Sequence, residues 1–341
     1  MMKILFTAEH DGHLHELEAI GDLKIEGWAK GLPKLLESEL IALGHDCDIL
    51  ITSYDDITAN VIENCPNLKL IACTRANPVN IDVAAAQAKQ IPVIYTPGRN
   101  SDATAELTIA HLLNSARHIP QAYRALKQKK FTQQHTQQSG AGKQKDCIWD
   151  VTADSPYEVF KGVELHNKRL GIIGYGSIGR RVGKIARAFG MELAIYDPYV
   201  SEIEVNEPGV IKVTLDELMR SSDFITIHLK VSPATENLIN ADKLALMKPT
   251  AYLINTSRAA VLDEQAVIEA LREKRIAGAG FDVFANEPIY ADHPYISELD
   301  NVVITPHIAG ATREVLTNHT QMIAAEIQRF INHEPLLYQF K

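Results

Sequence analysis

Three polar residues, Arg258, Glu287 and His307, each follow a short apolar run with the look of a buried parallel strand. Arg258 comes after Leu253-Ile254-Asn255-Thr256-Ser257, Glu287 after Phe281-Asp282-Val283-Phe284-Ala285-Asn286, and His307 within Thr305-Pro306-His307-Ile308-Ala309-Gly310. In an open α/β sheet, groups at the carboxyl ends of strands converge on the ligand crevice. A guanidinium, a carboxylate and an imidazole meeting there supply what reduction of a 2-keto acid requires. Arginine grips a planar carboxylate with two oxygens at once, which lysine cannot do. A carboxylate beside an imidazole favours the imidazolium, and a positioned acid of this kind is worth roughly 10² to 10⁴ in rate. Each residue also has an ordinary reading: Arg258 as a surface charge at a helix start, Glu287 as a turn residue, His307 as a satisfied buried histidine.

Hydride chemistry belongs to a cofactor, and the chain carries a place for one. Leu170-Gly171-Ile172-Ile173 reads as a strand, and Gly174, Gly176 and Gly179 then stand in G-x-G-x-x-G order. Gly174 permits the turn, Gly176 lets a pyrophosphate approach, and Gly179 lets the next helix sit close to the strand. That helix keeps Ile178, Val182, Ile185, Ala186 and Phe189 on one face, which aims its positive dipole end at the phosphates. Asp197 ends the next strand, 18 residues beyond Gly179. A carboxylate there accepts ribose hydroxyls and repels a 2′-phosphate, favouring NAD over NADP. The alternative is that Asp197 only caps a turn before Pro198.

These groups need elements to hold them. A chain of 341 residues suits roughly two domains. Strands are predicted at 3–6, 48–51, 68–73 and 93–95, with helices near 32–43, 58–64 and 81–90, which makes a small α/β domain with a parallel sheet. Residues 96–100 form a turn-rich hinge, and 102–126 read as one long helix with Leu107, Ala110, His111, Leu113 and Asn114 together on its wheel. From Leu170 onward six strands are predicted, the later five at 192–196, 224–229, 251–255, 277–281 and 302–305. Helices intervene at 177–189, 215–220, 241–247 and 263–274, with Thr214 and Glu217 in a capping-box pattern. The last helix, 312–332, has no strand after it and is expected to return to the N-terminal domain.

Residues 127–146 hold six glutamines and five lysines and almost nothing apolar, the composition of an exposed loop. A net charge of −9 argues against nucleic acid as the main partner. Cys47, Cys65, Cys73 and Cys147 form no C-x-x-C pair and no metal-ligating cluster, which fits structural thiols in a reducing cytoplasm. The N-terminal apolar run is too short for a signal segment, and no run of about 18 apolar residues suggests a membrane span.

From about residue 68 to 310 the sequence resembles the D-isomer-specific 2-hydroxyacid dehydrogenase family, which includes D-3-phosphoglycerate, glycerate and D-lactate dehydrogenases. The resemblance rests on Thr96-Pro97-Gly98-Arg99-Asn100 with Ala105-Glu106, on Gly174-Tyr175-Gly176-Ser177-Ile178-Gly179, on Asn255-Thr256-Ser257-Arg258, on Phe281-Asp282-Val283-Phe284 with Glu287-Pro288, and on Thr305-Pro306-His307. It implies a six-stranded doubly wound Rossmann domain for NAD (101–305) inserted into a discontinuous flavodoxin-like α/β substrate domain (1–100 and 306–341), with an active-site cleft between the two. His307 is then the acid/base, Glu287 holds it protonated, and Arg258 binds and polarises the substrate. The resemblance further implies that Tyr175, Ser177, Ile178, His228, Thr256, Thr104 and Gly310 contact the cofactor, with Asp282 meeting the nicotinamide amide. It also implies a homodimer joined through the dinucleotide domain, with a small 2-hydroxy or 2-keto acid as substrate; charge and hydropathy argue against a nucleic acid or membrane partner, and the cysteines point to the cytoplasm.

The substrate loop Cys73-Thr74-Arg75-Ala76-Asn77-Pro78-Val79-Asn80 departs from the family pattern. Family members commonly carry small residues there, whose amides, at positions such as Ala76, hold the substrate carboxylate. Here Arg75 could grip a second anion and Asn77 a hydroxyl, as in a phosphoglycerate-like or sugar acid, or Arg75 could be a solvated charge. Trp149 lies near a family tryptophan, although residues 150–159 separate it from Phe160. Two rivals share the motifs, a non-catalytic NADH-sensing corepressor-like protein and a phosphite dehydrogenase.

Overall fold

The computed structural model describes residues 2–132, 152–205 and 208–341, and it divides into two compact units, 1–103 with 310–341, and 104–309. Cys147, Trp149 and most of the glutamine- and lysine-rich segment lie outside the described residues.

The first unit is built on five parallel strands, β1 (Met2–Phe6), β2 (Gly21–Ile25), β3 (Ile49–Thr52), β4 (Leu70–Cys73) and β5 (Val93–Ile94), in the order β2-β1-β3-β4-β5. Period-two alternation sends Leu5, Leu50 and Ile71 to one face, against Leu40, Val61, Ile62 and Ala86 from helices. Ile4, Phe6, Ile49, Ile51 and Leu70 go to the other face, where they meet Ile323, Ala324 and Ile327 of the final helix, Arg313–Ile331. The sequence reading lacks β2, and the reason is local. It is an edge strand whose Asp22 and Lys24 point away from the core, so its pattern carries little apolar signal.

Among its described residues the second unit holds seven parallel strands rather than six: β6 (Arg169–Ile173), β7 (Glu192–Tyr196), β8 (Val210–Lys212), β9 (Phe224–Ile227), β10 (Tyr252–Asn255), β11 (Gly278–Phe281) and β12 (Val302–Ile304). Their order is β12-β11-β10-β9-β6-β7-β8. The additional strand, β8, has three residues at the sheet edge, too few to show periodicity. The chain winds outward from β6 to β8 and then crosses to β9, so the order reverses between β6 and β9, where doubly wound sheets bind ligands. One face is covered by helices carrying Leu218, Met219, Val267 and Leu271. The other receives Ala105, Ile109, Leu112 and Ala116 of the helix Ser101–Arg117, next to the stacked rings of Phe224 and Tyr252.

The single helix expected over 102–126 is two, Ser101–Arg117 and Ile119–Lys127. His118 between them has φ 52°, and Pro120 in the first turn of the second helix has no N–H with which to continue the first.

Two glycines fix how the helix Ser177–Ala188 meets β6. Gly174 has φ +91°, and a Cβ on Gly179 would stand 2.2 Å from the Gly174 carbonyl oxygen. That neighbour is backbone, so it cannot rotate away. Gly179→Ala is therefore expected to push the helix outward and to cost about 1–3 kcal/mol. Urea unfolding of the two proteins side by side measures this, and equal midpoints would show that the helix does not sit this close.

Candidate active site

The loop after β10 is shaped by Asn255, the last strand residue, which is fully buried. Its Oδ1 accepts hydrogen bonds from the Ser257 amide (2.9 Å) and hydroxyl (2.8 Å), and its Nδ2 donates to the Arg258 carbonyl (2.9 Å). Such side chain to backbone bonds make the turn for which short amide side chains are suited. Arg258 leaves it extended and exposed, with Nη1 donating to the Ser257 carbonyl at 2.6 Å.

Glu287 uses both carboxylate oxygens. Oε1 accepts the Phe284 amide at 3.0 Å, and Oε2 lies 2.6 Å from His307 Nδ1. Partial burial opposes ionisation of Glu287. The His307 and Phe284 hydrogen bonds, with the charges of His307 and Arg258, outweigh that and hold its carboxyl below the ordinary range. An anionic Glu287 at this distance places a proton on His307 Nδ1, which leaves Nε2 to exchange a proton with a reactant. The two side chains are 36% and 46% exposed, so reactants can reach them. Arg258, Glu287 and His307 line one cavity of about 740 Å³ in the second unit, together with Asn237, Glu264 and Phe284.

His307 itself has φ +54°. Behind it Asp282, with no exposed surface, accepts the Thr305 hydroxyl and the Ile308 amide (2.9 Å) on Oδ1 and the Ala309 amide (2.8 Å) on Oδ2. These bonds tie the Asp282 carboxylate to the loop that carries His307. Thr108 Oγ1 donates to the Thr104 carbonyl (2.7 Å), so the buried Thr256 hydroxyl, 2.7 Å away, is the donor to Thr108 and is committed inward.

The turn after β6 fits a dinucleotide. Gly176 and Ser177 are exposed at the start of the helix Ser177–Ala188, with Ile178 half-buried, and nothing lies within 4 Å of where a Gly176 Cβ would stand. The cradle is open where a pyrophosphate would meet first-turn amides. The half-buried Asp197 accepts the Tyr175 amide on Oδ2 (2.8 Å) and the Tyr199 amide on Oδ1 (2.9 Å), which fixes it beside that turn. His228, just past β9, contacts Thr226 Oγ1 through Nε2 at 3.0 Å. Its Nδ1 is buried without a partner, and burial pushes the imidazole well below the ordinary histidine range. The Thr104 hydroxyl is likewise buried and unpartnered.

Arg75, Ala76, Asn77 and Gly310 belong to the first unit. Ala76 and Asn77 are exposed. Arg75 is half-buried, with its guanidinium 5.1 Å from the centre of the Tyr54 ring, so it is a stacked cation and not a freely solvated one. Gly310 packs against Asn100, whose Nδ2 would lie 2.6 Å from a Cβ there. The sequence reading does not single out Asn255 or Thr305, although a polar residue closing an apolar strand run and followed by two hydroxyl residues is itself a turn signal.

Residues 109–309 match the family model described as D-isomer specific 2-hydroxyacid dehydrogenase, NAD binding domain. The chain is 37% identical over 337 residues to D-3-phosphoglycerate dehydrogenase of Methanocaldococcus jannaschii, which covers 98% of this chain and only 58% of that protein. It is 37% identical over 290 residues to glyoxylate reductase of Thermococcus litoralis, covering 85% of this chain and 82% of the relative. Among solved structures, the apo form of D-lactate dehydrogenase from Escherichia coli superposes with a TM-score of 0.76 at 26% identity over 100% of both chains. With the glycine cradle, the anchored Asp197 and the Arg258, Glu287 and His307 cavity in place, these matches establish that the chain belongs to the D-isomer specific 2-hydroxyacid dehydrogenase family and that residues 109–309 are its NAD-binding domain.

Proposed function

We propose that the protein is an NAD-dependent dehydrogenase that interconverts a D-2-hydroxy acid and its 2-keto acid. The observation that carries this reading is the 2.6 Å contact between His307 Nδ1 and Glu287 Oε2 on the cavity that Arg258 also lines. When bound, the reduced nicotinamide supplies the hydride. Arg258 binds the substrate carboxylate through its planar fork and draws electron density from the carbonyl oxygen. His307 Nε2–H gives its proton to that oxygen as the alcohol forms, and in the oxidative direction the neutral Nε2 takes it back. Glu287 stabilises the imidazolium throughout. The Asp197 carboxylate repels a 2′-phosphate, favouring NAD over NADP.

The substrate is a phosphoglycerate-like or sugar acid, with Arg75 as the cation for its second anion and Asn77 as a hydroxyl partner. The protein works in the cytoplasm as a homodimer joined through the NAD-binding domain. Cys47, Cys65 and Cys73 are all buried free thiols, as a reducing compartment permits, and burial pushes Cys47 up to about 12.

A panel of 3-phosphohydroxypyruvate, hydroxypyruvate, glyoxylate and pyruvate, followed by loss of NADH absorbance, tests the reading. Turnover with none of them, despite NADH binding, would remove it. In the same panel Arg75→Ala is expected to lower kcat/KM for the phosphorylated acid by about 10-fold or more and to leave the plain acids nearly unchanged. A uniform effect on all four would take Arg75 out of substrate recognition.

His307→Gln is expected to reduce kcat by about 10² to 10⁴ with NADH affinity preserved. Because the Glu287 carboxyl is held low, its anion supports His307 above the ordinary carboxylate range, and that support is lost as pH falls through the depressed value. Glu287→Gln removes the anion at every pH. The kcat for keto-acid reduction should then fall by about 10-fold or more, and an unchanged kcat would show that Glu287 does not support the acid.

A further inference from the structure

We infer that His111 is a positioning residue for His307: across 194 residues of sequence, its ring holds the loop after β12 in place through Thr305 and Asp282. The inference rests on the reading of His307 as the proton donor. A residue with a Cβ at φ +54° sits in a conformation that costs about 1–3 kcal/mol and persists only where its surroundings over-determine it. Here the surroundings are a chain of buried polar groups. Asp282 accepts donors from both sides of His307, the Thr305 hydroxyl before it and the Ile308 and Ala309 amides after it.

The Thr305 hydroxyl has one proton, and that proton goes to Asp282. Toward His111, whose Nε2 lies 2.9 Å away, Thr305 Oγ1 can therefore only accept. This fixes the His111 ring with its proton on Nε2 and none on Nδ1. Burial lowers the tendency of the ring to charge, against the pull of Asp282, so it serves as a neutral donor. Nδ1 is buried with no partner, a cost that an apolar side chain would avoid. Room is also left for the ring: a Cβ at Gly280 on β11 would stand 3.0 Å from His111 Nδ1. Along the helix His111 follows Thr108 by three residues and precedes Ser115 by four, and both of those hydroxyls also reach across to strand-end or strand backbone groups, Thr108 to Thr256 and Ser115 to the Ala279 carbonyl. The imidazole is explained by the bond to Thr305, which fixes the hydroxyl that Asp282 needs.

The test compares His111→Leu, His111→Gln and Thr305→Val with the full-length protein. His111→Leu and Thr305→Val are expected to lower kcat for keto-acid reduction by about 10-fold with KM for NADH within about twofold, because misplacing a reacting group acts on the chemical step. His111→Gln, which retains a donor, should recover most of that loss. A second readout needs no turnover: the His307 ring Cε1–H resonance, assigned with His307→Gln, is followed through a pH titration. It should shift in His111→Leu and return toward wild type in His111→Gln. Wild-type kcat and an unmoved His307 resonance in His111→Leu, or equal losses in the leucine and glutamine variants, would overturn the proposal. If the wild type reduces no keto acid, the proposed activity falls, and the resonance comparison still decides whether His111 positions His307.

Discussion

A carboxylate with no exposed surface must be met by hydrogen-bond donors, because an unpaired buried charge costs several kcal/mol. Asp282 imposes that demand at the carboxyl end of β11. The donors that meet it are the Ile308 and Ala309 amides and the Thr305 hydroxyl, all from the loop after β12. The loop therefore cannot relax away from β11 without stranding the charge, and His307, which lies within it, inherits its position. A neighbouring loop obeys the same logic with a neutral group. Asn255, also without exposed surface, satisfies its amide by folding the Ser257 and Arg258 backbone around itself.

The proposed reactive roles and the supporting ones thus fall on different residues. Arg258, Glu287 and His307 reach the cavity surface, where exposure lets reactants in and keeps pairing energies modest. Their geometry is set by fully buried side chains, Asn255 close to Arg258 in sequence and Asp282 far from His307, and a site stays precise only when such supports are themselves locked. Glu287 stands between the two classes. One oxygen is tied to the Phe284 amide, and the other is thereby aimed at His307.

Much of this was legible in the residues. Runs such as Leu253-Ile254-Asn255 and Leu170-Gly171-Ile172-Ile173 are apolar because both faces of a parallel sheet are covered, so their strands stand out. The edge strands β2 and β8 did not, since charged residues replace the apolar pattern on the exposed side of β2 and β8 is only three residues long. His118 was hidden in continuous helical periodicity, which reports faces but not the φ of a single residue. In the site, the family resemblance identified Asp282 and Thr256 as important, yet a motif does not say which way a side chain turns. Both turn inward, to partners 23 to 148 residues away in sequence. Helical spacing grouped His111 with Leu107, Ala110, Leu113 and Asn114, which are half-buried, whereas His111 itself is buried; its bond to Thr305 is a long-range contact that helical spacing does not encode.

The glycine turn shows how such coupling constrains change. Asp197 Oδ2 accepts the amide of Tyr175, the residue between the first two glycines of the cradle. The carboxylate that would discriminate against a 2′-phosphate is therefore also a brace for the turn that would hold the pyrophosphate. Replacing it with a small neutral residue would admit the larger cofactor and at the same stroke release the Tyr175 amide, which the close approach of Gly174 to the His228 carbonyl leaves little space to reorient. A productive exchange of cofactor preference would need a new acceptor for that amide as well as a cation for the added phosphate. On the proposed role of Asp197, specificity and turn geometry are two uses of one side chain, so neither could be altered independently of the other.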